Sequence, residues 1–321
     1  MKMMPAHMIK QMQRALSSSM RCGFVSAPKK ADHFKKSTLV TVGQNHPIGV
    51  FDSGMGGLSI LKALRSALPK ESFIYLGDSA RLPYGTKSKQ TVIAYAKQAS
   101  EILMAKGIKA LVVACNTASG HALDELSEIL APRPVIGVVK AGSRAAVNAA
   151  DKSGILVLAT ESTVSGGAYE REILSLSPKT KVYGRACPLW VALAEEGHSM
   201  PIASLQELAV PVVRHGIRGF SKTPNTVLLG CTHFPVISSY LAAQLSKGTR
   251  IVEAGETVAS ELDVVLKNNE LLNDDSDKSP VVRYIATDNM SRFLSVGQFF
   301  LGEKIDHVEL VQIGEAGSRQ D

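Results

Sequence analysis

Two similar segments, each an apolar run that ends in a cysteine, constrain this chain more than any other feature. One reads Leu-Val-Val-Ala-Cys-Asn-Thr and the other Val-Leu-Leu-Gly-Cys-Thr-His, and their cysteines are Cys115 and Cys231. Each apolar run is typical of a buried strand, and apolar residues with helical spacing follow each cysteine. We therefore expect both thiols at the carboxyl end of a strand and the amino end of a helix. In open α/β sheets, ligands bind at that edge.

The position of the two thiols has a chemical consequence. A helix terminus with free backbone amides favours a thiolate and can lower the pKa of a thiol. The pKa of each thiol also depends on its burial, which the sequence alone does not give. Two equivalent thiols suit racemisation at an α-carbon, in which a base acts on one face and an acid on the other, with roles that reverse for the other enantiomer. The paired segments thus indicate one site with a base on each side.

Strand-like and helix-like segments alternate from Pro47 onward, which predicts an α/β fold with parallel sheets covered by helices. The two strand–Cys–helix units indicate two related halves. A polar stretch, 267–278, is predicted to be a surface loop or helix end. The predicted strands are Ile48–Phe51, Phe73–Leu76, Ala110–Ala114, Val135–Val138, Ile155–Ala159, Val182–Gly184 and Val227–Leu229, with further strand material at 251–252 and 305–310.

A glycine-rich turn, Asp-Ser-Gly-Met-Gly-Gly from Asp52 to Gly57, follows the first predicted strand. It is not a dinucleotide fingerprint, because Ser59 stands at the third glycine position, and no GK[ST] follows to make a phosphate loop. A glycine-rich turn that opens a helix suits a small anion such as a carboxylate. The alternative is a tight turn in which Asp52 or Ser53 caps the helix.

The net charge of +7 is confined to the first 46 residues. This segment contains eight Lys or Arg and one acid, which leaves 28 basic and 28 acidic side chains in the rest of the chain. We expect residues 1–46 to be a disordered basic extension, although scarce acids also fit a transit peptide. The neutral remainder argues against a nucleic-acid-binding face, and no apolar run is long enough to span a membrane.

The cysteines and histidines show no metal-site spacing, so we expect no metal. Four cysteines in a chain of 321 residues do not make a disulfide framework, which favours a reducing cytoplasm.

His233 follows Cys231 closely enough to serve as its base in a hydrolase. We interpret Cys187, which precedes a proline, as part of a structural turn. Glu195 and Glu196 precede a glycine at a helix end, where solvated acids are common.

With these residues in view, the chain resembles the glutamate racemases of the cofactor-independent aspartate/glutamate racemase superfamily over about residues 47–313. The resemblance rests on four ordered motifs. They are the Ile-Gly-Val-Phe-Asp-Ser-Gly-x-Gly-Gly run from Ile48, Asp78 with Pro83-Tyr84-Gly85, the Ala-Cys-Asn-Thr-Ala-Ser run from Ala114, and the Leu-Gly-Cys-Thr-His-Phe-Pro run from Leu229.

The resemblance implies two similar doubly wound parallel-sheet domains with the active site between them. The boundaries that it implies are 47–140 plus 250–321 for a discontinuous first domain and 141–249 for the second. It also implies L- or D-glutamate as substrate, no cofactor, no pyridoxal phosphate or metal, a homodimer, and a role in supplying D-glutamate for peptidoglycan.

Residue roles follow from the same resemblance. Cys115 would take the proton from D-glutamate with help from Asp52, and Cys231 would take it from L-glutamate with help from His233 and Glu195. Thr160 and Thr163 are weaker binding candidates. The residues expected to hold the substrate are Asp52, Ser53, Pro83, Tyr84, Gly85, Asn116, Thr117, Thr232 and His233.

Three alternatives remain open from the sequence. A racemase for aspartate or another amino acid would share the fold. A one-thiol hydrolase would use Cys231 as nucleophile and His233 as base, and would not need Cys115. A binding protein would use the basic extension on nucleic acid or a partner. The chain also departs from the family at Lys140-Ala141, at Phe234 and in its basic extension.

Overall fold

The structure is a computed structural model that describes residues 42–220, 224–275 and 279–313. Residues 1–41 of the predicted basic extension lie outside the described residues. Residues 42–46 are described and form a turn in which the His46 N–H donates to Gly43 O. The predicted extension thus includes five residues, 42–46, that the structure describes.

A parallel sheet of six strands, in the order β10-β9-β2-β1-β3-β4, forms the first lobe within the described residues. Its central strand β1 pairs with β2 on one side and β3 on the other. All residues of β1, β2 and β3 are buried, because helices cover both faces of the sheet. The strands are β1 Ile48–Asp52, β2 Phe73–Gly77, β3 Ala110–Val113, β4 Val135–Gly137, β9 Val282–Ala286 and β10 Glu309–Leu310.

Two apolar layers lie on the two faces of this sheet. Ile48 and Val50 of β1 face one layer and Phe51 faces the other, as strand alternation requires. One layer is closed mainly by α1, α10 and α11, and the other by α2 and α3. These helices are α1 Leu58–Ala67, α2 Lys89–Ala105, α3 Asn116–Leu130, α10 Gly255–Asn268 and α11 Met290–Leu301.

A second parallel sheet, in the order β6-β5-β7-β8, forms the second lobe. Its two central strands, β5 and β7, are fully buried. Helix α4, Val138–Ala149, leads from the first sheet to the second and contributes apolar residues to both lobes. The other elements are β5 Ile155–Ala159, α5 Glu161–Ser165, α6 Ala168–Leu176, β6 Val182–Ala186, α7 Pro188–Glu196, α8 Ile202–Ile217, β7 Thr226–Gly230, α9 Ser238–Ala242 and β8 Arg250–Val252.

The parallel, doubly wound α/β class predicted from the sequence is confirmed. The division into two domains at the stated boundaries stays a prediction. The strands of the second sheet, however, do not end at the boundary predicted near residue 250. Strand β8 pairs in parallel with β7, so the second sheet extends past residue 250 to Val252.

Three details differ from the sequence interpretation. The segment after Cys231 is a 3₁₀ turn, Phe234–Ile237, followed by the short α9, rather than one continuous helix. Val138, predicted as the last residue of a strand, is instead the first residue of helix α4. The sequence interpretation also did not include α10, β9 or α11. In the part of the chain that the structure describes, no helix has the length and apolar content to cross a bilayer.

Candidate active site

Cys115 lies where β3 ends and α3 begins, as the sequence predicts. Its thiol is itself the cap of α3, because the Ala118 N–H donates to Sγ at 3.4 Å. Sγ in turn donates to Ser53 Oγ at 3.4 Å. Parallel pairing of β1 with β3 places the ends of these strands side by side, and Cys115 therefore lies beside the glycine-rich turn that follows β1.

Asp52, the last residue of β1, is fully buried at this strand end. Its Oδ2 accepts from the Gly54 N–H at 3.0 Å, and its Oδ1 accepts from Thr232 Oγ1 of the second lobe at 3.4 Å. Burial raises the pKa of Asp52, although nearby His233 and the hydrogen bonds from Gly54, Gly57 and Thr232 oppose that shift. A carboxyl group with a raised pKa can exchange a proton more readily near neutral pH.

The helix terminus does not bring the pKa of Cys115 below its usual value. Burial, together with the negative charge of Asp52, raises the pKa of this thiol to about 12. The hydrogen bonds that Cys115 forms with Ser53 and Ala118 lower its pKa, but by less than burial and Asp52 raise it. Desolvation of a thiolate therefore outweighs the helix terminus here, and Cys115 rests as a neutral thiol.

The second thiol, Cys231, follows β7 and lies in a line of three groups that we call the Cys231 triad, formed by Cys231, His233 and Glu195. Cys231 Sγ lies 3.7 Å from His233 Nδ1, and His233 Nε2 lies 2.8 Å from Glu195 Oε1. All three side chains are buried. The structure thus brings Glu195, at the end of α7, to the histidine that the sequence places two residues after the thiol.

Electrostatics in the Cys231 triad favour a charged histidine. Burial alone would lower the pKa of His233, but the interactions with Cys231 and Glu195 raise it to about 10. Burial likewise opposes the charge of Glu195, yet His233 and Arg292 lower the pKa of this carboxyl. An imidazolium beside a sulfur stabilises negative charge on that sulfur. The two thiols are therefore unequal at rest, with Cys115 neutral and Cys231 next to a cation.

The two lobes meet at the glycine-rich turn. A side-chain carbon on Gly56 would lie 2.5 Å from Thr232 Oγ1 and 2.6 Å from His233 Nδ1, both of the second lobe. A carbon on Gly57 would lie 2.5 Å from Asp52 Cβ. A side chain at Gly56 would therefore collide with residues around the second thiol, and one at Gly57 would collide with Asp52 of the first lobe.

Three threonine hydroxyls form a closed cluster across the lobes. Thr117, in the first turn of α3, lies 3.0 Å from Thr160 and 2.9 Å from Thr163, and the latter two lie 2.9 Å apart, each distance measured between Oγ1 atoms. All three are buried. The cluster therefore supplies hydroxyls at the end of β5 and the start of α5, opposite the start of α3.

Asn116, beside Cys115, is held by a residue that the sequence did not reveal. Tyr169 of α6 donates from its hydroxyl to Asn116 Oδ1 at 2.5 Å. Because its oxygen is engaged, the Asn116 amide keeps its two N–H donors for other partners. Tyr169 lies 53 residues downstream, and no local pattern marks it.

The loop with Pro83, Tyr84 and Gly85 is predicted to bind substrate, but the contacts of Tyr84 and Gly85 are with other residues of the protein. Pro83 is exposed, while Tyr84 is buried and its hydroxyl donates to the buried carboxylate of Asp78. Asp78 also accepts from Thr287 Oγ1 at 2.8 Å. Gly85 lies so close to Thr160 that a side-chain carbon would be 2.5 Å from its Cβ. The role of this loop in binding substrate stays a prediction.

A cleft of about 1090 Å³ reaches the second thiol. It is lined by Asn116 of the first lobe, by Cys231 and Thr232 of the second, and by residues of α1, α9 and α10. Among residues 42–220, 224–275 and 279–313, no group of three or more His, Cys, Asp or Glu is placed to hold a metal ion. The polar groups near the thiols are hydroxyls, amides and carboxylates, which can hold the carboxylates and ammonium of an amino acid.

Each thiol lies near an ionisable group. His233 Nδ1 lies 3.7 Å from Cys231 Sγ, and the negative charge of Asp52 acts on Cys115. Thr232 joins the two halves, because it follows one thiol and its hydroxyl donates to the carboxylate beside the other.

Comparison with known proteins shows the family to which the chain belongs. A model of the Asp/Glu/Hydantoin racemase family matches residues 48–262. A glutamate racemase from Geobacter metallireducens is 39% identical over 267 residues, which is 83% of this chain and 96% of that protein. A glutamate racemase from Syntrophus aciditrophicus is 38% identical over 271 residues, or 84% and 97% of the two chains.

Solved structures give the same result. The crystal structure of a glutamate racemase from Francisella tularensis in complex with D-glutamate has a TM-score of 0.76 and 36% identity, with 84% of this chain and 98% of that chain covered. A glutamate racemase isoform from Bacillus anthracis has a TM-score of 0.78 at 33% identity, with the same coverage. The chain therefore belongs to the Asp/Glu/Hydantoin racemase family, and its similar relatives within that family are glutamate racemases.

Proposed function

We propose that this protein is a glutamate racemase, which interconverts L- and D-glutamate by proton transfer at the α-carbon through Cys115 and Cys231 without a cofactor. The observation that carries the proposal is the placement of two buried thiols at strand ends of facing lobes, each beside its own acid–base partner. The family relationship and the similar relatives support glutamate as the substrate.

For L-glutamate, Cys231 acts as the base. The imidazolium of His233 stabilises the thiolate that removes the α-proton, and Glu195 holds the ring in place. Cys115, a neutral thiol at rest, then delivers its proton to the opposite face of the carbon. At rest, Cys115 therefore already holds the proton that the L-to-D direction needs.

For D-glutamate, the roles reverse. Cys115 must first lose its proton, which its surroundings make costly, and Asp52 is the group placed to accept that proton. Cys231 then donates from the other side. Because the same two sulfurs act in both directions, each must return to its starting protonation state through its partner before the next turnover.

The negative charge that develops on the substrate carboxylate needs fixed donors. Ser53, Asn116, Thr117 and Thr232 are all buried beside the two thiols, and they are the donors that we assign to the substrate carboxylates. Preorganised donors aimed at developing charge supply a large share of catalysis in many enzymes. Thr160 and Thr163 contribute through their cluster with Thr117.

We further propose that the enzyme works in the cytoplasm as a homodimer and supplies D-glutamate for peptidoglycan synthesis. The three cysteines of the described residues are free thiols, which suits a reducing compartment. The dimer and the biosynthetic role rest on the family relationship.

The single-thiol variants test the assignment of each sulfur. We expect Cys115→Ala and Cys231→Ala to abolish racemisation, measured by circular dichroism. In deuterium oxide, the Cys115→Ala variant should still exchange the α-proton of L-glutamate alone, because only Cys231 remains. The Cys231→Ala variant should exchange that of D-glutamate alone. If either variant racemised glutamate at the wild-type rate, the two-base mechanism would be contradicted.

A second candidate has one observation in its favour. The Cys231 triad has the connectivity of a cysteine hydrolase, with nucleophile, base and orienting acid in line. That function predicts that Cys115 is dispensable and that an acyl-enzyme on Cys231 can be trapped and detected by mass spectrometry. The Cys115→Ala measurement above separates the two functions.

A further inference from the structure

Arg292 connects the first lobe to the Cys231 triad. It lies in the first turn of α11, which Asn289 caps by accepting from the Arg292 N–H at 3.1 Å. Its Nη2 donates across the lobe boundary to Glu195 Oε2 at 3.0 Å and to Glu196 Oε1 at 2.8 Å. One guanidinium nitrogen thus contacts two consecutive carboxylates at the end of α7.

The two oxygens of Glu195 have different partners. Oε2 accepts from Arg292, whereas Oε1 is the atom 2.8 Å from His233 Nε2. His233 Nδ1 faces the sulfur of Cys231 at 3.7 Å. An unbroken series of contacts therefore runs from a partly exposed arginine on one lobe to the reactive thiol on the other.

We propose that Arg292 is a positioning residue for the half of the reaction that runs through Cys231, because it holds the Glu195 carboxylate turned so that Oε1 accepts from His233. This inference rests on the function proposed above, and it adds a residue of the first lobe to the control of a thiol in the second. Arg292 has no contact with either thiol, so its effect passes through Glu195.

A second contact of the same helix supports this assignment. The ring of Phe300, at the other end of α11, lies edge-on to the His233 ring with 5.3 Å between centroids. Helix α11 thus contacts two members of the Cys231 triad, one by charge at Glu195 and one by an aromatic edge at His233. A shift of α11 would therefore move both the orienting acid and the base.

The charged and titratable groups around the triad come from several elements. Glu195 faces Arg292 of α11 and His233, while Glu196 shares the guanidinium. The backbone oxygen of Glu195 lies 2.6 Å from His198 Nδ1, in the 3₁₀ turn after α7. The other groups that face His233 are Cys231 beside its Nδ1 and Asp52 of β1.

Removal of the arginine has an effect of known sign on Glu195. Burial raises the pKa of this carboxyl, and the hydrogen bonds and charges of His233 and Arg292 bring it below the usual value. Loss of the Arg292 cation raises the pKa of Glu195 again. The carboxylate then takes up a proton at a higher pH, and its charged hydrogen bond with His233 is lost there.

The first experiment compares pH profiles of racemisation for the wild type and for Arg292→Met, Arg292→Lys and Arg65→Met. Arg65 provides a matched control, because it pairs with Glu303 on the first lobe at a similar exposure and has no contact with the triad. We expect Arg292→Met to move the acid limb of kcat/KM upward by about 0.5 to 1 pH unit. Its kcat should fall roughly tenfold, with little change in KM.

The conservative variant and the control sharpen the result. In Arg292→Lys the acid limb of kcat/KM should stay close to its wild-type pH, since a cation remains near Glu195. The profile of Arg65→Met should match that of the wild type. An Arg292→Met profile that superimposes on the wild type in folded protein would overturn the proposal. A uniform fall in rate with an unmoved acid limb would also overturn it, because that is the result of a merely structural role.

The second experiment does not need activity. Carboxyl groups labelled with carbon-13 at glutamate are followed by NMR against pH, and Glu195→Gln identifies the Glu195 signal. We expect its titration midpoint to rise in Arg292→Met and to stay unchanged in Arg65→Met. An unchanged midpoint in Arg292→Met would overturn the proposal. Failure of the wild type to racemise glutamate would instead overturn the proposed function, whatever the midpoint does.

Discussion

At the scale of single residues, the two thiols differ in what surrounds them. Cys115 is buried beside a carboxylate, and both features hold it neutral. Cys231 is equally buried but faces the charged ring of His233. Part of this asymmetry lies in the segments themselves, because His233 belongs to the Cys231 segment, whereas Asp52 and Glu195 reach the two sites only through the fold.

Substitution of His233 and of Asp52 should slow proton exchange from different enantiomers of glutamate. We expect His233→Asn to slow α-proton exchange from L-glutamate by roughly 10²- to 10⁴-fold, the usual contribution of a positioned acid–base group. Asp52→Asn should slow exchange from D-glutamate over the same range. Deuterium incorporation from solvent, measured by NMR for each enantiomer, checks both. Equal slowing of both enantiomers in each variant would contradict the assignment of partners.

The Tyr169–Asn116 contact predicts an effect on binding. Tyr169→Phe removes the hydroxyl that fixes the Asn116 amide, and so the amide donors should be less well directed. A hydrogen bond contributes about 0.5–1.5 kcal/mol, which corresponds to a KM increase of up to roughly tenfold. Steady-state kinetics with L-glutamate measure it, and kcat should change less than KM. An unchanged KM would show that Tyr169 does not orient Asn116 for the substrate.

Some of these site residues could be predicted from the sequence, and others could not. Cys115, Asp52, Cys231 and His233 are visible because each directly follows, or lies within three residues of, an apolar strand. Glu195 was a candidate only through the family resemblance, since an acid at a helix end is usually solvated. Arg292 and Tyr169 lie far from the motifs along the chain, and only the tertiary structure brings them to the site.

At the scale of elements, the parallel register of strands assembles the site. Phe51 of β1 pairs with Val113 of β3, and Ala159 of β5 pairs with Gly230 of β7. Asp52 and Cys115 follow the first pair by one and two residues, and Thr160 and Cys231 follow the second pair directly. The chain direction alone therefore brings the two members of each set to the same edge of a sheet. The alternation of strands and helices predicted this arrangement before any contact was known.

Strand β9 and helix α11 were not predicted because their hydrophobic patterns are weak or ambiguous. Strand β9 has only three buried residues at its end, and its first two are exposed or half-buried. Helix α11 begins after a left-handed Asn289 with few charges to mark it, and its sequence is apolar enough to resemble a strand. Both lie after the polar stretch at 267–278. That stretch separates them from the patterned part of the chain.

The glycine-rich turn makes a prediction at this scale. A methyl group on Gly56 would collide with Thr232 and His233, so Gly56→Ala should displace the second lobe and lower kcat/KM by at least tenfold, because a misplacement of about 1 Å can cost 10²-fold. Gly54→Ala, in the same turn, has its nearest neighbour at 3.5 Å and keeps the N–H that Asp52 accepts. It should retain most of the activity. Equal loss in both variants would contradict the close approach at Gly56.

At the scale of the whole molecule, the buried titratable groups predict how stability depends on pH. The folded-state pKa of His233 is about 10, against 6.5 for an unperturbed histidine. A raised pKa contributes stability that is complete below about 6.5 and is lost as the pH rises through 10. Cys115, with its pKa raised from 9.0 to about 12, acts in the same direction at still higher pH.

We therefore expect the free energy of unfolding of the wild type to fall between about pH 7 and pH 10. In His233→Asn this fall should be smaller, because the variant lacks the group whose charge the fold stabilises. Urea unfolding of reduced protein, followed by circular dichroism across this range, measures the difference. Parallel curves for the two proteins would contradict a charged His233 in the folded state.

The most direct test of the proposed reaction is proton NMR of L-glutamate incubated with purified, reduced protein in deuterium oxide without any added cofactor. Circular dichroism is followed in parallel. We expect the α-proton signal to disappear and the ellipticity to decay to zero, because the deuteron returned by Cys115 enters on the opposite face. A folded, reduced protein that leaves both signals unchanged would contradict two-thiol racemisation of glutamate.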